Sequence, residues 1–397
     1  MPISVWLATA LALVLGSDAK GSTTALQEFR PLKQDVERSQ MMVQMTGGEC
    51  GAGWTSGDYS LQRNGISRKF RVRLPSDYEP LNARPLVLVF HGWGGDEGEF
   101  LNDATVAREA DERGYVIAAP LGLGEEEPGN YYASWSFSGS TSGLDGTVTQ
   151  GNICNDDLTT DYAYPSCAGI AQNGCSWTQC TDDDVAFAVD LVTALSQNLC
   201  IDPERVYAVG GSNGGMFVWD LARHDASARI FSGIASLIGM PHRGYLSPPV
   251  SASAMPAILI TGMNDPTSPP GSWDQTTFTT STDGDHYYYT GAAAITEVWA
   301  RAHYCDTDSP ATPFDTGISE AECRGWNACR GQTSWPPVLD CRHDIGHRYG
   351  LSWSWPLILD FFEKSRDDSD SGDTLPTGLP IWMLYQATQS GPASNGQ

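Results

Sequence analysis

From residue 67 onward the chain alternates between two hydrophobic patterns. Pro85-Leu86-Val87-Leu88-Val89-Phe90 and Tyr115-Val116-Ile117-Ala118-Ala119-Pro120 are short continuous apolar runs, the mark of strands buried on both faces. Residues 205–209, 257–261 and 338–341 repeat that mark, while 69–74 alternates polar and apolar as an edge strand does. Between the strands, apolar residues recur at helical spacing near 100–113, in 185–195, from 214 to about 223, over 292–303 and over 353–364. Thr181 stands where it can cap the second helix, with Asp184 at the reciprocal capping-box position. Strand and helix in alternation predict an α/β fold, a mainly parallel sheet with helices on both faces.

The flanks read differently. Residues 20–57 are polar and irregular, with Met41-Met42-Val43-Gln44-Met45 their one apolar cluster. Residues 122–180 are rich in Gly, Ser and Cys without a period, which predicts an insertion held by disulfides. The acidic tail 366–397 carries too little apolar surface to fold and is expected to be disordered. One α/β domain is therefore expected over 58–365. At the N-terminus the apolar run Val5–Leu15 falls short of the ~20 residues that span a bilayer. Gly16, Ser17 and Ala19 follow it, so 1–19 is expected to be a cleaved export signal, although no basic residue precedes the run. The polar end Ser390–Gln397 does not fit a lipid-anchor tail.

Composition narrows the function classes. Lys and Arg number 23 against 48 Asp and Glu, a net charge of −25. A field of that sign repels phosphate backbones and anionic lipid, so neither nucleic acid nor a membrane surface is expected as a partner. Oligomeric state is not legible. The ten cysteines form an even set, four of them between Cys154 and Cys180, which with an export signal reads as five disulfides. No C-x-x-C pair suggests zinc, and Asp145, Asp156, Asp157 and Asp161 read as a solvated acidic loop rather than a calcium site. No metal and no cofactor are expected.

The candidate chemistry starts at Gly210-Gly211-Ser212-Asn213-Gly214, a G-x-S-x-G pattern between a predicted strand and a predicted helix. A serine exposed on such a sharp turn needs neighbours without Cβ atoms on either side. Its hydroxyl becomes a nucleophile only when a base takes its proton and a third group orients the base. Asp265 follows the strand 257–261 and is the candidate acid. His343-Asp344-Ile345-Gly346-His347 follows the strand 338–341; either histidine could reach the serine, and Gly346 favours His347. Oxyanion donors are expected from the amide after the nucleophile, Asn213, and from the loop His91-Gly92-Trp93-Gly94-Gly95. There Trp93 is the candidate and Gly92 the alternative. His91 itself reads as a hydrogen-bonding group near the substrate rather than as a base.

These segments resemble the secreted feruloyl esterase and polyhydroxybutyrate depolymerase family of α/β-hydrolases. The resemblance is carried by His91-Gly92-Trp93-Gly94-Gly95, Asp182–Phe187, Cys200–Tyr207, Gly211–Met216 and Gly346-His347, and runs from about 84 to 364. It implies the α/β-hydrolase fold, with Ser212 as nucleophile, Asp265 as triad acid and His347 as base. It also implies that Trp135, after Ser134, stands beside the substrate pocket. Two departures are visible. Gly346-His347-Arg348-Tyr349-Gly350 stands where the family has Gly-His-x-Trp-Pro, and Thr261-Gly262-Met263-Asn264-Asp265 where it has His-Gly-Thr-Ala-Asp. The expected function is a secreted serine esterase that releases hydroxycinnamic acids from polysaccharide, with 13 Trp and 15 Tyr available for stacking. The alternatives are a polyester depolymerase and an inactive hydrolase-fold binding module.

Overall fold

The computed structural model describes residues 53–124, 126–127, 130–141, 153–154, 164–170, 176–243, 255–283, 287–330, 332 and 334–365. The expected export signal, the acidic tail, the four aspartates of the acidic loop, Cys50 and Cys175 lie outside the described residues. Ten strands form one sheet: β1 (Gly57–Arg63), β2 (Ile66–Arg73), β3 (Arg84–Phe90), β4 (Val116–Pro120), β5 (Ile201–Gly211), β6 (Gly233–Leu237), β7 (Ala257–Gly262), β8 (Thr312–Phe314), β9 (Glu322–Gly325) and β10 (Val338–His343). Their order across the sheet is β1-β2-β4-β3-β5-β6-β7-β10-β9-β8. The six strands from β4 to β10 run parallel, and antiparallel pairs close both edges.

The helices are α1 (Ala104–Arg113), α2 (Asp184–Asn198), α3 (Asn213–Arg223), α4 (Ala292–Ala302) and α5 (Ser354–Lys364), with single turns at Gly98–Leu101 and Asp225–Ala228. Alternation along the strands decides which face each side chain takes. Val87, Val89, Val209, Ile258 and Ile260 pack with Val106 and Ala110 of α1 and with Trp355, Ile358 and Phe362 of α5. Phe90, next along β3, points the other way and meets Phe217 of α3 edge-on, with centroids 5.0 Å apart. The sheet is thus covered on both sides, which is why its central strands are apolar without a break.

Several boundaries differ from expectation for identifiable reasons. The helix expected near 100–113 is two pieces, because Asp103 turns out of helical geometry to accept the Thr105 N–H at 2.7 Å and caps α1. The second helix is capped by Asp183, which accepts the Ala186 N–H at 3.0 Å, and not by Thr181. Asp184 is instead turned inward, where it accepts the Ser136 N–H and pairs with the buried Arg68 at 2.5 Å. Strands β1 and β6 escape the apolar-run signal. The first is half polar, and the second is the five residues Gly-Ile-Ala-Ser-Leu. Cys167–Cys180, Cys305–Cys329 and Cys323–Cys341 are bridged, Cys154 and Cys200 are also disulfide-bonded, and no described cysteine is free.

Candidate active site

Ser212 sits between the end of β5 and the first residue of α3, at φ 50° and ψ −115°, a conformation that L-residues rarely adopt. Neighbouring atoms hold it there. The Ser212 N–H donates to the Leu237 carbonyl at 2.8 Å, and its own carbonyl accepts from Met216 N–H at 2.9 Å. The flanking glycines are required by space: a Cβ at Gly210 would lie 2.1 Å from the Gly214 carbonyl oxygen, and one at Gly214 2.1 Å from that of Phe90. Helix α3 therefore presses directly on β3, and the serine is thrown out of the turn.

Two loops from the far side of the sheet complete the arrangement. Asp265, 3 % exposed, stands just past β7, where its Oδ1 accepts the N–H groups of Thr267 and Ser268, both at 2.9 Å. Its Oδ2 accepts from His347 Nδ1 at 2.8 Å, and Ser212 Oγ lies 3.0 Å from His347 Nε2. With Nδ1–H committed to the carboxylate, Nε2 is the acceptor for the serine hydroxyl. His343 takes no part: it ends β10, buried, with Nδ1 accepting the Ile345 N–H at 3.1 Å, and burial lowers its pKa. A Cβ at Gly346 would come no nearer than 3.3 Å to its neighbours, whereas one at Gly262 would lie 2.1 Å from the Ile345 carbonyl oxygen, so the close approach of this loop rests on Gly262.

The loop after β3 is fixed bond by bond. The His91–Gly92 peptide has its carbonyl on the Trp135 indole N–H (3.0 Å). Its N–H is shared between Glu99 Oε2 (3.0 Å) and Tyr349 Oη (3.1 Å). In the next peptide the Gly92 carbonyl accepts from His91 Nδ1 (2.7 Å) and from the Gly95 N–H (3.0 Å). A trans peptide points its N–H opposite to its carbonyl, so those two donors also set the direction of the Trp93 N–H. The Gly92 amide, the alternative donor, is already engaged.

His91 and Trp135 are corrections to the expectation of substrate contact. Trp135 is fully buried between Phe90, His91 and Phe217, and its backbone is clamped by the Asn213 side chain (N–H to Oδ1 2.7 Å, Nδ2 to the carbonyl 3.2 Å). His91 is buried too, and its Nε2 accepts the Gly122 N–H at 2.9 Å, which requires a neutral ring. Desolvation lowers its pKa to about 4. Neither side chain offers a surface to a ligand; both orient the loop. The exposed aromatic at this end is Tyr132, stacked on Trp93 with centroids 4.2 Å apart, while the Trp93 indole N–H donates to Tyr164 Oη at 2.6 Å. Tyr132, Tyr349 and Glu99 were missed in the sequence. Only the odd tyrosine two residues after His347 gave any signal.

Among the described residues no group of side chains could hold a metal ion, and no helix is long and apolar enough to cross a membrane.

No family model matches the chain. It is 29 % identical over 209 residues to NocK of Nocardia uniformis subsp. tsuyamanensis, a protein named as an esterase, covering 52 % of this chain and 47 % of that one. It is 26 % identical over 159 residues to feruloyl esterase D of Neurospora crassa, covering 40 % and 41 %. The match thus spans about half the length of these relatives or less. Among solved structures, an acetyl xylan esterase from Aspergillus awamori aligns over 77 % of this chain and 99 % of its own, at 13 % identity and a TM-score of 0.48. A ferulic acid esterase aligns over 79 % and 100 %, at 10 % identity and a TM-score of 0.40. The chain is thus similar, over about half its length or less, to proteins named esterase and feruloyl esterase D, and it carries a strained serine turn on a central parallel sheet.

Proposed function

We propose that the protein is a serine carboxylic ester hydrolase in which Ser212 is the nucleophile, His347 the base and Asp265 the acid. One observation carries the reading: the unbroken hydrogen-bond chain from Ser212 Oγ through both nitrogens of His347 to Asp265, with the serine on a strained turn. In this reaction Ser212 Oγ attacks the ester carbon as His347 Nε2 takes the hydroxyl proton. Asp265 favours the imidazolium that results, and the ring returns the proton to the leaving alcohol. Water then repeats the sequence on the acyl-enzyme. The tetrahedral oxyanion is held by backbone N–H donors, for which Asn213 and Trp93 are the residues of choice. Asn213 opens α3, so its N–H has no acceptor within the helix.

The acyl group in this reading is aromatic, of the hydroxycinnamoyl type. The exposed ring of Tyr132, stacked on the loop that carries the Trp93 N–H, offers such a group an apolar face. The apolar run at 5–15 and the bonded cysteines support export to an oxidising compartment. Purified protein is expected to hydrolyse methyl ferulate faster than short hydroxybutyrate oligomers. The reverse order would make it a polyester depolymerase instead. No turnover of either, together with no labelling by a fluorophosphonate, would leave a hydrolase fold without hydrolase chemistry.

A further inference from the structure

The loop that carries His347 also carries Tyr349, and the two side chains reach different halves of the site. His347 meets Ser212; Tyr349 meets the loop after β3. The phenol donates to Glu99 Oε1 and accepts the Gly92 N–H at 3.1 Å, while Glu99 Oε2 accepts the same N–H at 3.0 Å. The ring stacks on Phe100, with centroids 5.7 Å apart, and packs against Gly211, the residue before the serine. Burial, and the carboxylate beside it, push the phenol's pKa up, so it remains a hydroxyl that can donate.

We propose that Tyr349 and Glu99 are positioning residues for the ester hydrolysis above: by gripping the Gly92 amide, they lock the oxyanion loop to the loop that supplies the base. The inference rests on the esterase reading. Its physical content is a constraint on one peptide. With its carbonyl on Trp135 and its N–H on the Glu99–Tyr349 pair, the His91–Gly92 peptide cannot rotate, and the Trp93 N–H that follows it is held in direction before substrate arrives. Preorganisation of this kind acts on the transition state, where the oxyanion exists, and leaves ground-state binding almost untouched. Neither residue touches the reacting atoms in this scheme. The pair also explains why a tyrosine suits this place: a tryptophan has no oxygen to accept an amide proton.

The test compares Ser212→Ala, Tyr349→Phe, Glu99→Ala and Glu99→Gln with the wild-type chain. Each is assayed on one soluble ester, and each is titrated with a trifluoromethyl ketone, which binds as a tetrahedral oxyanion adduct. Tyr349→Phe keeps the ring against Gly211 and removes only the hydroxyl. It is expected to lower kcat on the order of tenfold, with KM little changed, and to weaken the ketone by a similar factor. Glu99→Ala, at an exposed position, should do the same, and Glu99→Gln, which keeps an acceptor oxygen, should lose less. If Tyr349→Phe fails to fold, as melting will show, the two Glu99 variants decide. A wild-type kcat and ketone affinity in Tyr349→Phe or, in that event, in Glu99→Ala overturns the clamp. So does a loss confined to KM. An active Ser212→Ala would instead overturn the esterase reading itself, whatever the other variants do.

Discussion

The segment that carries Ser212 and the segment that carries His347 end within one hydrogen bond of each other, yet they are specified in different ways. Residues 201–223 are a strand, a turn and a helix in immediate succession, and the serine is held from within this segment and by the two strands beside it, β3 and β6. Gly210 packs on the Gly214 backbone, β3 lies against Gly214, and the Ser212 N–H donates to Leu237 of β6. Residues 343–350 have no regular structure after β10 ends. Their path is set by three remote contacts: Asp265 on the imidazole, the Gly262 backbone under Ile345, and Glu99 with Gly92 on Tyr349. The serine turn is held by its own segment and the adjoining strands, whereas the histidine that meets it is brought in by contacts from separate loops.

The largest effects should come from breaking the chain that joins the two segments. Ser212→Ala and His347→Ala are each expected to lower kcat on the order of 10⁶, and the double variant should be scarcely worse, because triad losses do not add. Steady-state rates normalised to the concentration of folded protein check this. More than a tenth of the wild-type rate in either single variant would break the comparison. His343→Ala should cost far less activity, since that ring bonds only its own loop. If His343→Ala were the inactive variant, the base would lie four residues upstream.

Asp265→Asn should come next, with a loss on the order of 10⁴ in kcat and little change in KM, because an amide can leave the imidazole in the wrong tautomer. Gly262→Ala sharpens the contrast between local and remote specification. Its Cβ would push on the Ile345 backbone from 2.1 Å, so the His347 loop must move. The expected cost is about 1–3 kcal/mol in chemical denaturation and roughly 10²-fold in kcat. An unchanged kcat would mean that the loop absorbs the shift without moving the base.

A last effect is expected on stability against acid rather than on activity at neutral pH. His91 is held neutral, with its pKa lowered by burial to about 4, and His303 and His242 are lowered to about 4 and about 3. Above pH ~6.5 both folded and unfolded states leave these rings neutral, and nothing is gained or lost. Below it the unfolded chain takes up protons that the folded chain refuses, so stability falls as pH drops from ~6.5 towards 4. His91 alone would contribute a loss of about 3 kcal/mol across that window. His224, raised by its bond to Asp220, works in the opposite direction but is nearly half exposed. Melting temperatures at pH 7, 5.5 and 4.5 should decline in that order; a flat profile would contradict the buried neutral rings.

The apolar runs predicted β3, β4, β7 and β10 within a few residues, because a strand buried on both faces admits almost nothing but apolar side chains. The G-x-S-x-G turn was legible from its own neighbours, and Asp265 and His347 from the buried strands that each of them follows. Trp135 was misjudged: a tryptophan beside a site and a tryptophan beneath it look alike in sequence, and only Asn213, Phe90 and Phe217 closing on it settle which it is. His91 reads in the same way. The sequence by itself determined the buried parallel strands, the serine turn and the placement of Asp265 and His347 just past two of those strands, all short-range consequences of burial and of missing Cβ atoms. The tertiary structure alone decided that Trp135 and His91 are buried beneath the site, that the Gly92 amide is engaged, and that Glu99 and Tyr349, 250 residues apart, share one hydrogen bond. Pairings across such distances depend on how far each loop reaches from its strand, and no run of neighbouring residues encodes that.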